Sequence, residues 1–520
     1  MKKISTTILI FLATVPIFAE NGYSLEECRQ MALEHNKSLQ IARENVKAAN
    51  ELKKAAFAQF LPNFGITGTY TWNQKNLSLL SEDALLPVGV KDQNGKLGTG
   101  ITATSVPTPN ADGTFSFTES SISNEFKLIN GSPVPLDAKG VPFDPAKNPE
   151  KLIWKNYALL PKSAMEFDIQ NVFTGTIGFT QPIYMGGKIR ELYKIAKYGK
   201  NLAMAQEENK TTDLLLDVDE AYWRVVSVEN KLNLAKEYQK LLAKMDSDVT
   251  NMIQEGVATK ADGLKVKVKL NEANVMVTKA ENGLSLSRMA LNQLCGIPLE
   301  QATELADDNF DTPADAPQLI PIAQALEKRP EIKALTQMEN IAKSNERIMV
   351  SRFLPTVGLT GGYMVSNPNV YNGYTNEFGG MFTFSVVAHV PLFHFGDKIH
   401  TLNASKTQRT IAGLQLDEAK EKIQLQIQQN SYKVAESLNK KKATSKNIEQ
   451  AKENLKCATD GFEEGVITST DLIGAQTAWL SAKSEDIDAE IDVRLCKLYL
   501  EKSLGTLEVP EYKQNSNKNK

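Results

Sequence analysis

The chain repeats itself, so it must fold as two copies of one plan. FLPNFGITGTY begins at Phe60 and FLPTVGLTGGY at Phe353, with seven of eleven positions identical at an offset of 293. The same offset relates Ala32 and Leu33 to Ala325 and Leu326, and Ala49 to Ala342. Further along the offset becomes 209: Pro182 maps to Pro391, Gly187 to Gly396, Asp262 to Asp471 and Gly296 to Gly505. EGVAT at 255–259 maps to EGVIT at 464–468, and from 182 to 296 this register holds without a gap. The two offsets differ by 84 residues, so the first copy carries an insertion of that size. It falls within 74–168, a Gly-, Ser- and Thr-rich stretch holding nine of the chain's 21 prolines, and that composition predicts a long irregular loop.

Each copy contains two periodicities. Leu214, Val218, Ala221, Val225, Val228, Leu232, Ala235, Leu242, Val249 and Ile253 form a seam spaced by fours and threes, interrupted only by Gln239 and Asp246. A period of 3.5 sustained this long predicts a coiled-coil-type helix. No proline occurs from Lys188 to Gln254, and those 67 residues would extend about 100 Å as a helix. Gly256 ends it, and Thr259 followed by Asp262 starts the next, which runs to about Leu294. The second copy repeats the plan with helices expected over 398–463 and 470–504 around Gly465. Each copy thus carries a helical hairpin with one tip, a pattern that a coiled-coil rod would also satisfy.

The segments beside Pro62, Pro182, Pro355 and Pro391 alternate instead. Phe64, Ile66, Tyr70 and Trp72 share one face against Thr67, Thr69 and Thr71. Phe173, Ile177 and Phe179 oppose Thr174, Thr176 and Thr180; Val357, Leu359, Tyr363 and Val365 fall together. Phe382, Phe384, Val386, Ala388 and Val390 oppose Thr383, Ser385 and His389. Each approaches the ~9–11 residues of a tilted membrane strand. A bilayer forbids open sheet edges, and four strands cannot close, so several chains must combine. Two would give eight strands with a filled interior, and three would give twelve and a lumen. An ordinary hairpin packed on a soluble core is the alternative.

The N-terminus bears on compartment. Lys2 and Lys3 precede an apolar run through Phe18, with small Ala19 before Glu20, which predicts an export signal over 1–19. No later stretch approaches the ~20 apolar residues of a membrane helix. With 59 basic and 62 acidic residues interleaved, no basic excess attracts nucleic acid. Cys28, Cys295, Cys457 and Cys496 are scattered, and their spacing fixes no disulfide. His35, His389, His394 and His400 have no zinc-motif spacing, and no P-loop, G-x-S-x-G or Cys/His set is present. The expectation is a non-enzyme without cofactor or metal.

Together these features resemble the TolC-like outer-membrane efflux protein family, from Tyr23 to about Leu507. The carriers are Leu61-Pro62 and Leu354-Pro355, then Gln181-Pro182 and Val390-Pro391 with Gly187 and Gly396. The tips from Gly256 to Asp262 and from Gly465 to Asp471, and the closing KSLGTL at 502–507, complete the set. The resemblance implies a mixed α and β membrane protein: a homotrimer with a 12-stranded outer-membrane barrel, four strands per protomer, continued by a coiled-coil α-helical barrel in the periplasm. It implies a conduit for small molecules, the outer component of a tripartite efflux system with a periplasmic adaptor and an inner-membrane pump. The same scaffold serving type I protein secretion, or a periplasmic coiled-coil structural protein without a pore, are the rival readings. The implied adaptor contacts are Gly256, Val257, Ala258, Gly465, Val466 and Ile467. The implied periplasmic gate involves Asp471 and Asp262, with Phe462 where the family has a linking tyrosine, Ile467 in place of its arginine and Gly474 in place of a second aspartate. The expected division is a first repeat over 20–297 containing the 74–168 insertion, facing the exterior. A linker over 298–319, a second repeat over 320–507 and a disordered tail over 508–520 follow.

Overall fold

The computed structural model describes residues 22–87, 107–117, 122–153, 157–306, 320–393 and 395–509. The expected signal, His394, and parts of the expected linker and tail lie outside these residues. Two compact units result: Met1–Leu61, Tyr184–Thr356 and Ala388–Lys520 form one, and Pro62–Ile183 with Val357–Val387 the other.

The first unit is helical. Its helices are α1 (Leu25–His35), α2 (Lys37–Ala58), α3 (Lys188–Gln254), α4 (Lys260–Cys295), α5 (Ile322–Lys328), α6 (Pro330–Ser351), α7 (Asp397–Glu463) and α8 (Ser469–Leu504). Helices α2, α3 and α4 of the first copy correspond to α6, α7 and α8 of the second. α3 and α7 are each 67 residues long, as the proline-free seam requires. Leu214, Val218, Val225, Leu232, Ala235, Leu242 and Val249 of that seam are all buried. α3 forms a hairpin with α4, and α7 with α8; α3 also packs on α2, α6 and α8. The largest core joins α1, α3 and α4 through Cys28, Leu33, Leu215, Tyr222, Leu291 and Cys295.

One buried ion pair anchors α1 to this core. Asp219 is 2% exposed, and Arg29 Nε donates to its Oδ1 at 2.7 Å while a second guanidinium nitrogen donates to Oδ2. Burial pushes the Asp219 carboxyl up and Arg29 draws it back down. The bidentate geometry favours the charged pair.

Among the described residues the second unit holds twelve strands in four separate sheets. β1 (Asn63–Trp72), β10 (Asn171–Met185), β11 (Thr356–Asn367) and β12 (Gly379–His389) form one sheet in the order β1-β10-β11-β12. β1 and β10 run antiparallel in a register that puts Ile66 opposite Ile177 and Tyr70 opposite Phe173. On the apolar face the rings of Phe64 and Phe179 lie 5.8 Å apart and those of Phe179 and Phe384 6.4 Å, making an aromatic row across the sheet. Gly361 makes room for it, since a Cβ there would come within 2.7 Å of the Phe179 ring. Tyr70 and Phe173, 4.8 Å apart, begin a second row six residues along β1, or roughly 20 Å. Between the rows Ile66 and Ile177 are exposed by 80% and 60%. An exposed apolar band between two aromatic rows is what a bilayer-facing barrel wall presents.

The insertion corrects the sequence expectation, because 74–168 is partly folded rather than an irregular loop. β2 (Leu77–Ser78) pairs with β9 (Glu166–Phe167), and β3 (Ala84–Pro87) with β8 (Tyr157–Leu160). β4 (Pro107–Pro109), β5 (Phe115–Phe117), β6 (Phe126–Ile129) and β7 (Ser132–Pro135) form a four-stranded sheet in that order. Phe117, Ile122, Phe126, Phe143 and Leu152 give it a small core of its own. Proline abundance was misleading for a physical reason. Pro107 and Pro109 lie in β4, and Pro133 and Pro135 in β7, the two edge strands, where a missing N–H costs least.

Close backbone approach makes a prediction at Gly362, where a Cβ would meet the Ile177 carbonyl oxygen at 2.7 Å and Gly178 Cα at 2.9 Å. Gly362→Val is expected to cost about 2–3 kcal/mol and lower the thermal midpoint of the detergent-solubilised protein. Gly68→Val, where a Cβ meets nothing within 4 Å, serves as the control that leaves it unchanged.

Candidate functional site at the hairpin tips

The two tips have the same backbone geometry. Gly256 (φ +80°) and Gly465 (φ +74°) adopt the left-handed conformation that ends each long helix. The amides of Val257 and Ala258 both donate to the Met252 carbonyl, at 2.9 and 3.2 Å. Those of Val466 and Ile467 both donate to Gly461, at 2.8 and 3.1 Å. The next helices open with matched caps: the Thr259 hydroxyl donates to Asp262 Oδ2 at 2.5 Å, and the Thr468 hydroxyl to Asp471 Oδ2 at 2.6 Å. Each aspartate amide returns a 3.2 Å bond to the threonine oxygen. The Thr259 hydroxyl holds the Asp262 carboxyl below its ordinary range.

The six tip residues divide by burial. Val257 and Val466 are 73% and 81% exposed. Ala258 and Ile467 instead turn inward, packing against a core of Met245, Val249, Val266, Ala458, Phe462, Leu472 and Ala475. Phe462 is buried in that core, so it joins the two hairpins by packing rather than by a hydrogen bond. Polar links between the hairpins come, apart from Asp262, from residues that sequence reasoning missed. Lys244 Nζ donates to Glu463 Oε1 at 3.1 Å, Ser469 Oγ lies 3.5 Å from Asp262 Oδ1, and Lys265 Nζ lies 3.5 Å from Thr470 Oγ1. These pairs cross between copies, and no fixed spacing announces them. Asp471 is exposed, on the same face as Gly474 one turn later, where a Cβ would meet open space. Among the described residues no cluster of His, Cys, Asp and Glu could hold a metal ion. No described helix is long and apolar enough to cross a membrane.

Residues 160–297 and 322–506 match the family described as Outer membrane efflux protein. The chain belongs to that family. It is 22% identical over 343 residues to the outer membrane protein TolC of Vibrio cholerae, covering 65% of this chain and 77% of that one. Among solved structures it is similar to the Campylobacter jejuni CmeC outer membrane channel, with a TM-score of 0.67 and 14% identity over 94% of this chain and 87% of that chain. The Neisseria gonorrhoeae MtrE outer membrane channel in its open state gives 0.66 and 16%, covering 94% of this chain and 91% of that one. The protein is an outer-membrane channel component of efflux, with its long helices in the periplasm.

Phe462→Ala should cost about 3–4 kcal/mol locally, as expected for an emptied aromatic site. Hydrogen exchange would then report faster amide exchange in 245–266 and 455–475, with the Leu214–Leu232 portion of α3 unaffected.

Proposed function

We propose that three copies of the chain close head to tail into a ring, a passive, gated conduit from periplasm to exterior. One observation carries this reading: the second copy lacks neighbours that the first copy has. α3 packs on α6 and α8, but α7, its counterpart, has no extended packing against α2 or α4 among the described residues. Ile411, Leu414, Leu425 and Tyr432 of α7 stay exposed, as do Ile41 and Leu52 of α2 and Val268 and Val275 of α4. The sheet is incomplete in the same sense. β1 corresponds to β11 and β10 to β12, so the β10–β11 contact has its counterpart in β12 meeting β1 of the next copy. Two different open faces that match each other generate a ring when the rotation closes. Three chains supply twelve strands, the smallest barrel here with a usable lumen.

In this reading the exposed aromatic rows face lipid, and the hydroxyl-rich face lines the lumen. The folded 74–168 insertion faces the exterior. An export signal over 1–19 delivers the chain, and the repeats over 20–297 and 320–507 alternate around the ring. A periplasmic adaptor and an inner-membrane pump meet the tips around Gly256 and Gly465. Val257 and Val466 supply the contact surface, while Ala258 and Ile467 support it from within. The pump supplies energy and chooses the small-molecule cargo. Asp471, Asp262 and Phe462 belong to the periplasmic gate: three Asp471 carboxylates converge on the axis and attract cations, and Phe462 closes by packing.

The repeat specifies the contacts to test. Lys333 Nζ lies 2.6 Å from Glu208 Oε1, joining α6 to α3. Subtracting 293 from 333 and adding 209 to 208 gives Gln40 and Asp417, so these two should meet between neighbouring protomers. With cysteines at both positions and a short bis-maleimide, membranes should yield a covalent ladder that ends at the trimer. A monomer band alone, or a ladder running past three, would refute the ring.

For the gate, Asp471→Ala is expected to raise single-channel conductance and weaken cation preference in planar bilayers. Unchanged current in both respects would remove Asp471 from the axis.

A further inference from the structure

Cys28 and Cys295 lie 267 positions apart in sequence, yet both are fully buried in the core joining α1, α3 and α4. The Cys295 thiol donates to the Cys28 backbone carbonyl oxygen at 3.5 Å, which sets the two residues side by side in this core. The segments around them are held by independent contacts. The Asn36 side-chain amide donates to the Leu294 carbonyl at 3.2 Å. Gly296 takes φ +74° against His35, where any Cβ would come within 2.5 Å of the His35 Cβ. The second copy makes the comparison: the offsets carry Cys28 to Pro321 and Cys295 to Leu504, so neither counterpart is a cysteine. Leu504 is buried in its own core, where an aliphatic side chain fills the corresponding place. The first copy therefore places two thiols together at a site that does not itself require sulfur. Cys457 is exposed and Cys496 half-buried, and they belong to α7 and α8.

We propose that Cys28 and Cys295 are joined by a disulfide in the exported protein, clamping α1 to the end of the first helical hairpin. The step is thiol–disulfide exchange. The two thiols give up two protons and two electrons, one S–S bond forms between them, and the S–S bond of an exported disulfide-donor oxidant breaks to leave a dithiol. The compartment outside the inner membrane permits such bonds to persist. The facing Cys295 thiol and burial both push the Cys28 thiol up, which suppresses the thiolate that exchange requires. Oxidation therefore precedes the docking of α1 on α4, while both sulfurs are still reachable. Once formed, the bridge is inaccessible to reductants and closes most of the first repeat into a covalent loop. It stabilises by restricting the unfolded chain. It is independent of the open α7 side, so its loss leaves the ring reading intact.

The test counts thiols in the full-length protein recovered from the outer-membrane fraction. The sample is denatured in acid and then tagged with a maleimide, with or without prior reduction. Two tags are expected without reduction and four after it, together with a Cys28–Cys295 linked peptide, lighter by two hydrogens, in the unreduced digest. Cys28→Ser should carry three tags without reduction, and Cys457→Ser one. Four tags on the unreduced wild-type protein would overturn the proposal, as would a bridge mapped to any other pair.

Discussion

An unfilled contact governs this protein. Every long helix and every membrane strand belongs to a repeat whose apolar faces need the next repeat to cover them. Within one chain that need is met once, where α3 packs on α6 and α8 and β10 lies beside β11. At the other end it is unmet, on α7 and along β12. Burial of apolar surface contributes about 25 cal/mol per Å², so faces as long as a 67-residue helix are strongly driven to find cover. In hydrocarbon the open strand edges carry a larger penalty, because nothing but another strand can satisfy them. The open faces of α7 and β12 are what the proposed ring would cover.

The two copies have diverged around this shared plan. Copy one has a longer first helix than its counterpart α5, the buried Arg29–Asp219 pair, the two buried cysteines and the folded insertion. Copy two kept Pro321 and Leu504 at the cysteine positions and a short β11–β12 connection. The tips keep the same hydrogen-bond pattern, down to paired 3.2 Å capping bonds at Asp262 and Asp471. Conformation is shared where the two copies pack on one another at the tips, and differs at the start of each copy and in the insertion.

Much of this was legible in the sequence. The seam from Leu214 to Val249 located α3 because a 3.5-residue period has few structural solutions, and Gly256 with Thr259 marked its end. Strand parity likewise placed Phe64, Ile66 and Tyr70 on one face. The tip links were not legible. Lys244 with Glu463 and Ser469 with Asp262 are contacts between copies, set by hairpin packing rather than by spacing along either. The inward turn of Ala258 and Ile467 was hidden for the same reason. The insertion was misread because four of its nine prolines sit in strands at the sheet's margins and others in the turns and connections between strands, a distinction that composition averages away.

That arrangement of prolines has a consequence for how neighbouring molecules behave. The protein has two kinds of sheet margin. The β1-β10-β11-β12 sheet ends on β1 and β12, strands without a proline, whose outer backbone groups are free to bond a further strand. The small sheet in the insertion carries Pro107 and Pro109 on one margin and Pro133 and Pro135 on the other, and cannot extend itself that way. In the proposed ring the first kind of margin would be closed by a neighbouring copy, while the second is blunted within each chain.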